Sequence, residues 1–570
     1  MQTRRCVTAA AAAFLVATCL VAPATLRAQS SPALTGVVSS DEEGQMEGVV
    51  VNARRDGATF TVSVVSDAQG RYSFPRTHLA PGSYALSIRA VGYDLVDPGS
   101  VDVAAGTPAT QDLTLQTTTD LASQLSSLEW LMSMPGTPDQ KSKLVHQLLS
   151  CAYCHTYERI MKSRHNAEEM VPVISRMSTY FQDGTALGRG NRGRFVRNED
   201  TSFAAQSTTW GFTPPVPKTE LAEYLASVNL SDGRTTWPYE LKTLPRPTGE
   251  ATRVIMTQYD MPRRGTVPHD VEVDSTGTPW YGDQSRMYIG QLNPQTGEFT
   301  DHPLPELPSG RVGGVSDVHV DLQDRLWFPM TSPTGTSHFG SPAVFDPRTG
   351  ELTKLDYPDD QAVQFLARGP DGKIWMNSVA TVIRIDPTTM EVDARFNLNN
   401  AEDPPAGPHS FYQLGVNSEG NAYGTDWMGS YIVEINGNSG AMRFFETPTR
   451  SASPRRGKMD AQDRFWFAEY TGDRIAMFDT TTETFREWPV REYSTPYAAS
   501  VPDKNGYVYS TSNMAERVMR LDPETGDVIE YQIPTDFDSK EVLHDPTTDR
   551  VVLWLANTRN ARLLRIEPLD

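Results

Sequence analysis

Residues 268–303, PHDVEVDSTGTPWYGDQSRMYIGQLNPQTGEFTDHP, read as one unit of a repeat. An opening strand leads to a turn at Asp274-Ser275-Thr276-Gly277, and a second strand carries Trp280. An aliphatic strand at 288–292 meets a second turn at Asn293-Pro294-Gln295-Thr296-Gly297, and a polar-aromatic strand ends at Pro303. Asp, Asn, Pro and Gly between alternating runs are the residues that tight turns require. Aligned on its aromatic, the unit recurs at Trp280, Trp327, Trp375, Tyr423, Trp466, Tyr509 and Trp554, in steps of 43–48 residues. A four-stranded meander of that period is a propeller blade. Seven blades are predicted over 251–570. The seventh stops at Asp570 without its outermost strand, and residues 253–261 are placed to supply it. Closing the ring that way removes the exposed sheet edges.

Working back along the chain, residues 34–116 alternate apolar and polar positions in about seven short runs, the pattern of a small β-sandwich. The string Ser66-Asp67-Ala68-Gln69-Gly70-Arg71-Tyr72-Ser73-Phe74 leads to Leu79-Ala80-Pro81-Gly82-Ser83-Tyr84 and Ala90-Val91-Gly92-Tyr93. It resembles the carboxypeptidase regulatory-like (transthyretin-like) domain, which implies an accessory module without chemistry of its own. Tyr72, Phe74 and Tyr84 are its expected core aromatics. Residues 117–138 read as a linker with one helical patch.

Between 139 and 232 the period becomes helical. Here lies Cys151-Ala152-Tyr153-Cys154-His155, the C-x-x-C-H signature of covalent haem c attachment. Two thiols at that spacing meet the two vinyl groups of one porphyrin, and the adjacent His becomes the proximal iron ligand. A thioredoxin-like pair lacks its βαβ setting, and a zinc site lacks a second ligand pair. The surroundings resemble a small class I-like cytochrome c domain, with 218–228 as its closing helix. Such domains take a Met from a late loop, yet no Met or His lies between Ser178 and Ile255. The sixth ligand is therefore sought among Met161, His165, Met170 and Met177. Met177 stands first and Met170 second, both on a helix at 166–181 that Asn166 caps. Arg189, Arg192, Arg194 and Arg197 read as a solvated loop, with propionate or partner docking as the alternative.

The first 28 residues carry Arg4-Arg5, an apolar run at 9–22 and small-residue cleavage sites, which reads as a signal peptide. The apolar run continues past Cys19 and Thr18 suits a lipid-attachment cut poorly, so no lipid anchor is expected. Export to the periplasm or beyond is the expected location, with no membrane span in the mature chain. Cys6 and Cys19 leave with the signal, so the other two of the four cysteines, Cys151 and Cys154, belong to one haem. The net charge of −20 repels phosphate backbones and excludes nucleic acid as the expected partner.

The repeat units resemble the virginiamycin B lyase (streptogramin lyase) propeller. The elements Pro268-His269-Asp270-Val271, Trp280-Tyr281-Gly282-Asp283, Ile289-Gly290-Gln291-Leu292 and Trp466-Phe467-Ala468-Glu469 carry that likeness. The resemblance implies a blade-opening His and a Glu on one blade, working with a divalent cation such as Mg on a cyclic ester. No blade here holds both: the position equivalent to His269 is Arg455 in the Glu469 blade, and the acid of the His269 blade is Asp283. His269, Asp283 and Glu469 are the candidate catalytic residues. His319, His409 and His544 also lie near blade starts.

The expected fold is mainly β and multidomain: a small Ig/transthyretin-like sandwich (34–116), an α-helical cytochrome c domain (139–232) and a seven-bladed propeller (251–570). The favoured function is electron transfer by an exported haem c protein. An external redox partner protein takes the electron, and the propeller binds or oxidises a small molecule or polymer. A C–O lyase and a non-catalytic surface binder are the alternatives.

Overall fold

The computed structural model describes residues 31–146, 155–177, 218–263, 265–305, 314–331, 340–355, 357, 363–378, 380–407 and 409–569. The chain is mainly β and multidomain, with few helices.

In the sandwich, strand Arg71–Pro75 alternates exposed and buried positions, so Tyr72 and Phe74 turn inward. Tyr72, Phe74 and Tyr84 are all buried in one core with Val38, Val51 and Leu113. Gly70 has φ +68°, and a Cβ there would lie 2.7 Å from the Val38 carbonyl oxygen. Only glycine serves that turn without strain.

Among the described residues seven antiparallel sheets follow, all but the sixth starting on an inner strand and moving outward. Blade 1 runs through Pro268–Val273, Pro279–Asp283, Tyr288–Asn293 and Glu298–Pro303. Blades 2 to 6 lie at 314–354, 365–397, 411–446, 454–489 and 508–532. Among the described residues, blade 6 has three named strands, with an Ala499–Ser510 bridge in place of the innermost. Each aromatic of the repeat sits on a second strand, and all seven are buried. Four of the indoles are tied to the turn before them. Asp274 shows how: Oδ1 accepts from Thr276 N (2.9 Å) and Thr278 N (3.0 Å), while Oδ2 accepts from Trp280 Nε1 at 2.8 Å. Asp321, Asp460 and Asp545 take the Nε1 of Trp327, Trp466 and Trp554 in the same way. One carboxylate thus satisfies both a turn and a buried indole. Asp274→Ala is expected to cost about 2–3 kcal/mol, measured by urea unfolding, because it leaves the Trp280 N–H unpaired in the core. A loss below about 0.5 kcal/mol, the level of an ordinary surface change, would show that this carboxylate is dispensable.

Ring closure follows the expected route. Val254–Asp260 pairs antiparallel with Arg562–Pro568, from Val254–Pro568 to Asp260–Arg562. Its other edge is not free. Strand Phe60–Val65 of the sandwich pairs with it from Phe60–Tyr259 to Val64–Ile255. Blade 7 and one sandwich sheet are therefore a single eight-stranded sheet. Gly297 of blade 1 receives the same corner of the sandwich: Thr59 Oγ1 donates to its carbonyl at 2.9 Å. A Cβ at Gly297 would lie 2.6 Å from the Phe60 ring.

The helices Ser127–Ser133, Pro138–His146, Ala167–Met177 and Lys218–Val228 gather into one cluster with the short helix Glu158–Met161. Ser126 and Glu129 cap the first reciprocally. Asn166 caps the Ala167–Met177 helix as its sequence suggests, accepting from Glu169 N at 2.9 Å. The stretch read as a linker is packed: Leu125, Leu128, Trp130 and Leu131 are buried in this cluster. Met514 and Ala515, from a blade 6 turn, complete the cluster, and Leu128 N donates to Met514 O at 2.8 Å. Among the described residues no helix is long and apolar enough to cross a membrane.

Candidate functional site

Two places bring chemistry-bearing residues together: the helical cluster around His155, and the propeller axis with the face it opens on.

Cys151 and Cys154 lie outside the described residues, as do Arg189, Arg192, Arg194 and Arg197. His155 is described, and its Nδ1 lies 2.8 Å from the Thr156 carbonyl oxygen. A carbonyl only accepts, so Nδ1 carries the proton and Nε2 keeps its lone pair. Burial pulls the His155 pKa down, and the nearby Arg159 and Arg559 guanidiniums act in the same direction. The imidazole is thus neutral, with its tautomer set by a backbone acceptor. Tyr157 and Met161 are fully buried beside it in sequence, and Met170 is 3% exposed in the same cluster. Met177 ends the Ala167–Met177 helix. His165 is exposed.

The three propeller candidates are not joined by hydrogen bonds among the described residues. His269 is 1% exposed, and its Nδ1 lies 3.1 Å from Asp270 Oδ2. Asp283 ends the second strand of blade 1 and is fully engaged. It accepts from Arg263 Nη1 at 2.9 Å, Val267 N at 3.1 Å, and Ser285 N and Oγ at 3.0 and 2.8 Å. Glu469 holds the same register position in blade 5, opposite Pro454 as Asp283 is opposite Pro268. It is fully buried, and neither carboxyl oxygen accepts from a donor among the described residues; the polar group it meets is the Glu487 carboxylate. Burial first, then the facing Glu487 carboxylate, push its pKa up to about 9. Glu487 itself accepts from Thr449 N at 3.0 Å and Thr449 Oγ1 at 2.7 Å.

Blade 4 contains a His–acid pair that register counting missed: His409 Nδ1 lies 2.6 Å from Asp426 Oδ2. His409 stands fourteen residues before Tyr423, not the eleven that separate His269 from Trp280. A signal was present in Asp426, which ends the second strand as Asp283 does. His319 lies 3.8 Å from Asp317 and 4.0 Å from Glu272, and burial with Lys458 nearby pushes its pKa down to about 3. His544 Nε2 meets the Val501 carbonyl at 3.0 Å.

The axis holds a charge network that strand alternation hid. The inner strands of blades 1, 4 and 5 each carry a bulge, at Pro268/Val271, Phe411/Leu414 and Pro454/Gly457. A bulge re-aims side chains, so consecutive residues are buried together at the axis. Hence both His269 and Asp270, and both Arg455 and Arg456, are buried. The Arg455 guanidinium stacks 3.7 Å over Tyr470 and 4.7 Å from Tyr497, with Tyr412 and Trp427 completing the aromatic frame. Lys540 Nζ bonds both oxygens of Asp538 at 2.8 Å.

The family model of the carboxypeptidase regulatory-like domain matches residues 33–116. No curated protein matches the chain. Among solved structures, virginiamycin B lyase from Staphylococcus aureus is similar at 18% identity, covering 55% of this chain and 99% of its own, with a TM-score of 0.47. A streptogramin B lyase structure is similar at 16% identity over 56% of this chain and 99% of its own, TM-score 0.47. The extracellular domain of a one component system from B. thetaiotaomicron is similar at 13% identity over 54% of this chain and 41% of its own, TM-score 0.42.

Proposed function

We propose that this is an exported c-type haem protein that passes electrons to an external carrier. Its helical module is the redox centre, and its propeller is the docking or substrate-oxidising partner. The observation that carries the reading is His155: it completes C-x-x-C-H, and its Nδ1 proton rests on the Thr156 carbonyl, so that Nε2 is the donor. Cys151 and Cys154 would hold the haem by thioether bonds, and Met177 or Met170 would supply a second protein ligand. Bound haem supplies one-electron chemistry at its iron. The chain's part is to fix the imidazole tautomer and to raise its basicity through the Nδ1–H bond. The contact of Leu128 with Met514 seats the module on blade 6 and supports a path between module and propeller.

The C–O lyase reading has less support, because Asp283 is committed to four donors and the His269 ring is buried. Protein made in a haem-maturing periplasm is expected to keep haem on a denaturing gel and to show the absorption of a thioether-linked haem. Cys151→Ala combined with Cys154→Ala is expected to abolish both. A colourless wild type, or a haem stain that persists in the double variant, would overturn the reading. Met177→Ala should change the low-spin spectrum; an unchanged spectrum passes the ligand role to Met170.

A further inference from the structure

We infer that the guanidinium of Arg456 is the propeller's resident axial cation, and that the carboxylates gathered on it take no divalent metal ion in this protein. Arg456 is 1% exposed, on the inner strand Pro454–Met459 of blade 5. Its Nη1 lies 2.7 Å from Asp270 Oδ1, 2.8 Å from Glu541 Oε2 and 3.9 Å from Asp317 Oδ1. Its Nη2 donates to Asp270 Oδ2 at 3.0 Å, which makes the Asp270 contact bidentate. Its guanidinium carbon lies over the Phe365 ring of blade 3, 4.5 Å from the centroid. Asp270 comes from blade 1, Asp317 from blade 2, and Glu541 from the segment entering blade 7. One side chain therefore links carboxylates from three blades across the axis.

Buried carboxylates converging from separate strands need a cation, because uncompensated charge at such a place is strongly destabilising. Metal ions are one answer and a guanidinium is another, with a planar fork that suits bidentate carboxylates. Here the charges balance without an added ion. Burial opposes ionisation of Asp270, but Arg456 overcomes it and holds the carboxyl below the usual range. Burial and the Asp270 charge push the Asp317 pKa well up, so Asp317 keeps its proton. Glu541 is shared with Lys458, whose Nζ lies 3.2 Å from Oε1. Asp270 and Glu541 face Arg456 and Lys458, while burial, opposed by Lys458, pushes the neighbouring Glu272 up to about 7. The divalent ion that the lyase resemblance implies has no vacant carboxylate pair at this point of the axis.

The test uses the full chain, with thermal unfolding followed in EDTA and in millimolar MgCl2 or MnCl2. The wild-type midpoint is expected to be the same in all three. Arg456→Ala removes the cation and leaves the carboxylates facing a cavity. Its midpoint is expected to fall in EDTA and to rise by several degrees with Mn2+. Arg456→Ala combined with Asp317→Asn is expected to lose most of that response. Should Arg456→Ala fail to fold, Arg456→Lys keeps a cation in place and is expected to ignore Mn2+. A wild type that is destabilised by EDTA, or that binds one Mn2+ tightly by electron paramagnetic resonance, overturns the inference. So does a folded Arg456→Ala indifferent to every divalent ion, or an Arg456→Lys that Mn2+ stabilises.

Discussion

Glu469→Gln is expected to stabilise the protein by about 3 kcal/mol at pH 7 and by almost nothing at pH 4. Glu469 is fully buried and its oxygens have no hydrogen-bond donor among the described residues. The fold keeps this carboxyl protonated up to about 9, whereas the unfolded chain releases the proton near 4.5. Below the lower value both states hold the proton and the group is neutral in the balance. As pH rises through the window between the two, the unfolded state gives up a proton that the folded state keeps, so stability falls. Two and a half pH units above the unfolded value correspond to about 3 kcal/mol. Glutamine has the same shape and cannot ionise, so the gain should grow with pH up to the folded value and then level off. Melting curves of both proteins from pH 4 to pH 9 measure it. A difference that does not change with pH would show that Glu469 is not held protonated. The cause is local. At the same register Asp283 and Asp426 accept the N–H of Val267 and of Ser410. In blade 5 that N–H, of Ser453, goes to Ser430 Oγ at 3.4 Å, and the longer Glu469 side chain meets Glu487.

The second large effect is expected at the seam between sandwich and propeller. Ser63 lies mid-strand, paired with Met256 on one side and Asn52 on the other. Its Oγ donates to Asn52 Oδ1 at 2.7 Å. Proline belongs at sheet edges, since it has no N–H for the ladder. Ser63→Pro removes the ladder donor and the side-chain bond, and leaves a buried acceptor unpaired. The expected cost is about 3 kcal/mol. Because blade 7 and the sandwich share one sheet, the propeller should lose stability together with the sandwich. Calorimetry should show a single transition moved down as a whole. A sandwich that melts alone while the propeller midpoint stays in place would show that the seam carries no coupling.

Much of the architecture was legible in the sequence. The repeat of turn and aromatic gave seven blades, because each buried Trp or Tyr marks a second strand. The alternation in 34–116 gave the sandwich and its core tyrosines, because a half-buried sheet imposes a period of two. Less could be read in 117–138, where Trp130 serves a core made of helices distant in sequence. Neighbours in the chain carry the C-x-x-C-H reading of Cys151, Cys154 and His155, of which His155 alone lies among the described residues. The candidate site was poorly legible where chemistry depends on convergence, as in Glu469 with Glu487 or His409 with Asp426.

The sequence by itself determined the blades, the closing strand at 253–261 and the sandwich, all of which rest on local period. The tertiary structure alone decided two things. The sandwich edge strand pairs with that closing strand, a matter of which free edges meet. Asp270 and Arg456 meet at the axis because bulges break the alternation that would have placed one residue of each pair outward. Both follow from the same physics: unpaired edges and buried charges are satisfied by whatever the closed ring brings within reach, however far apart in the chain.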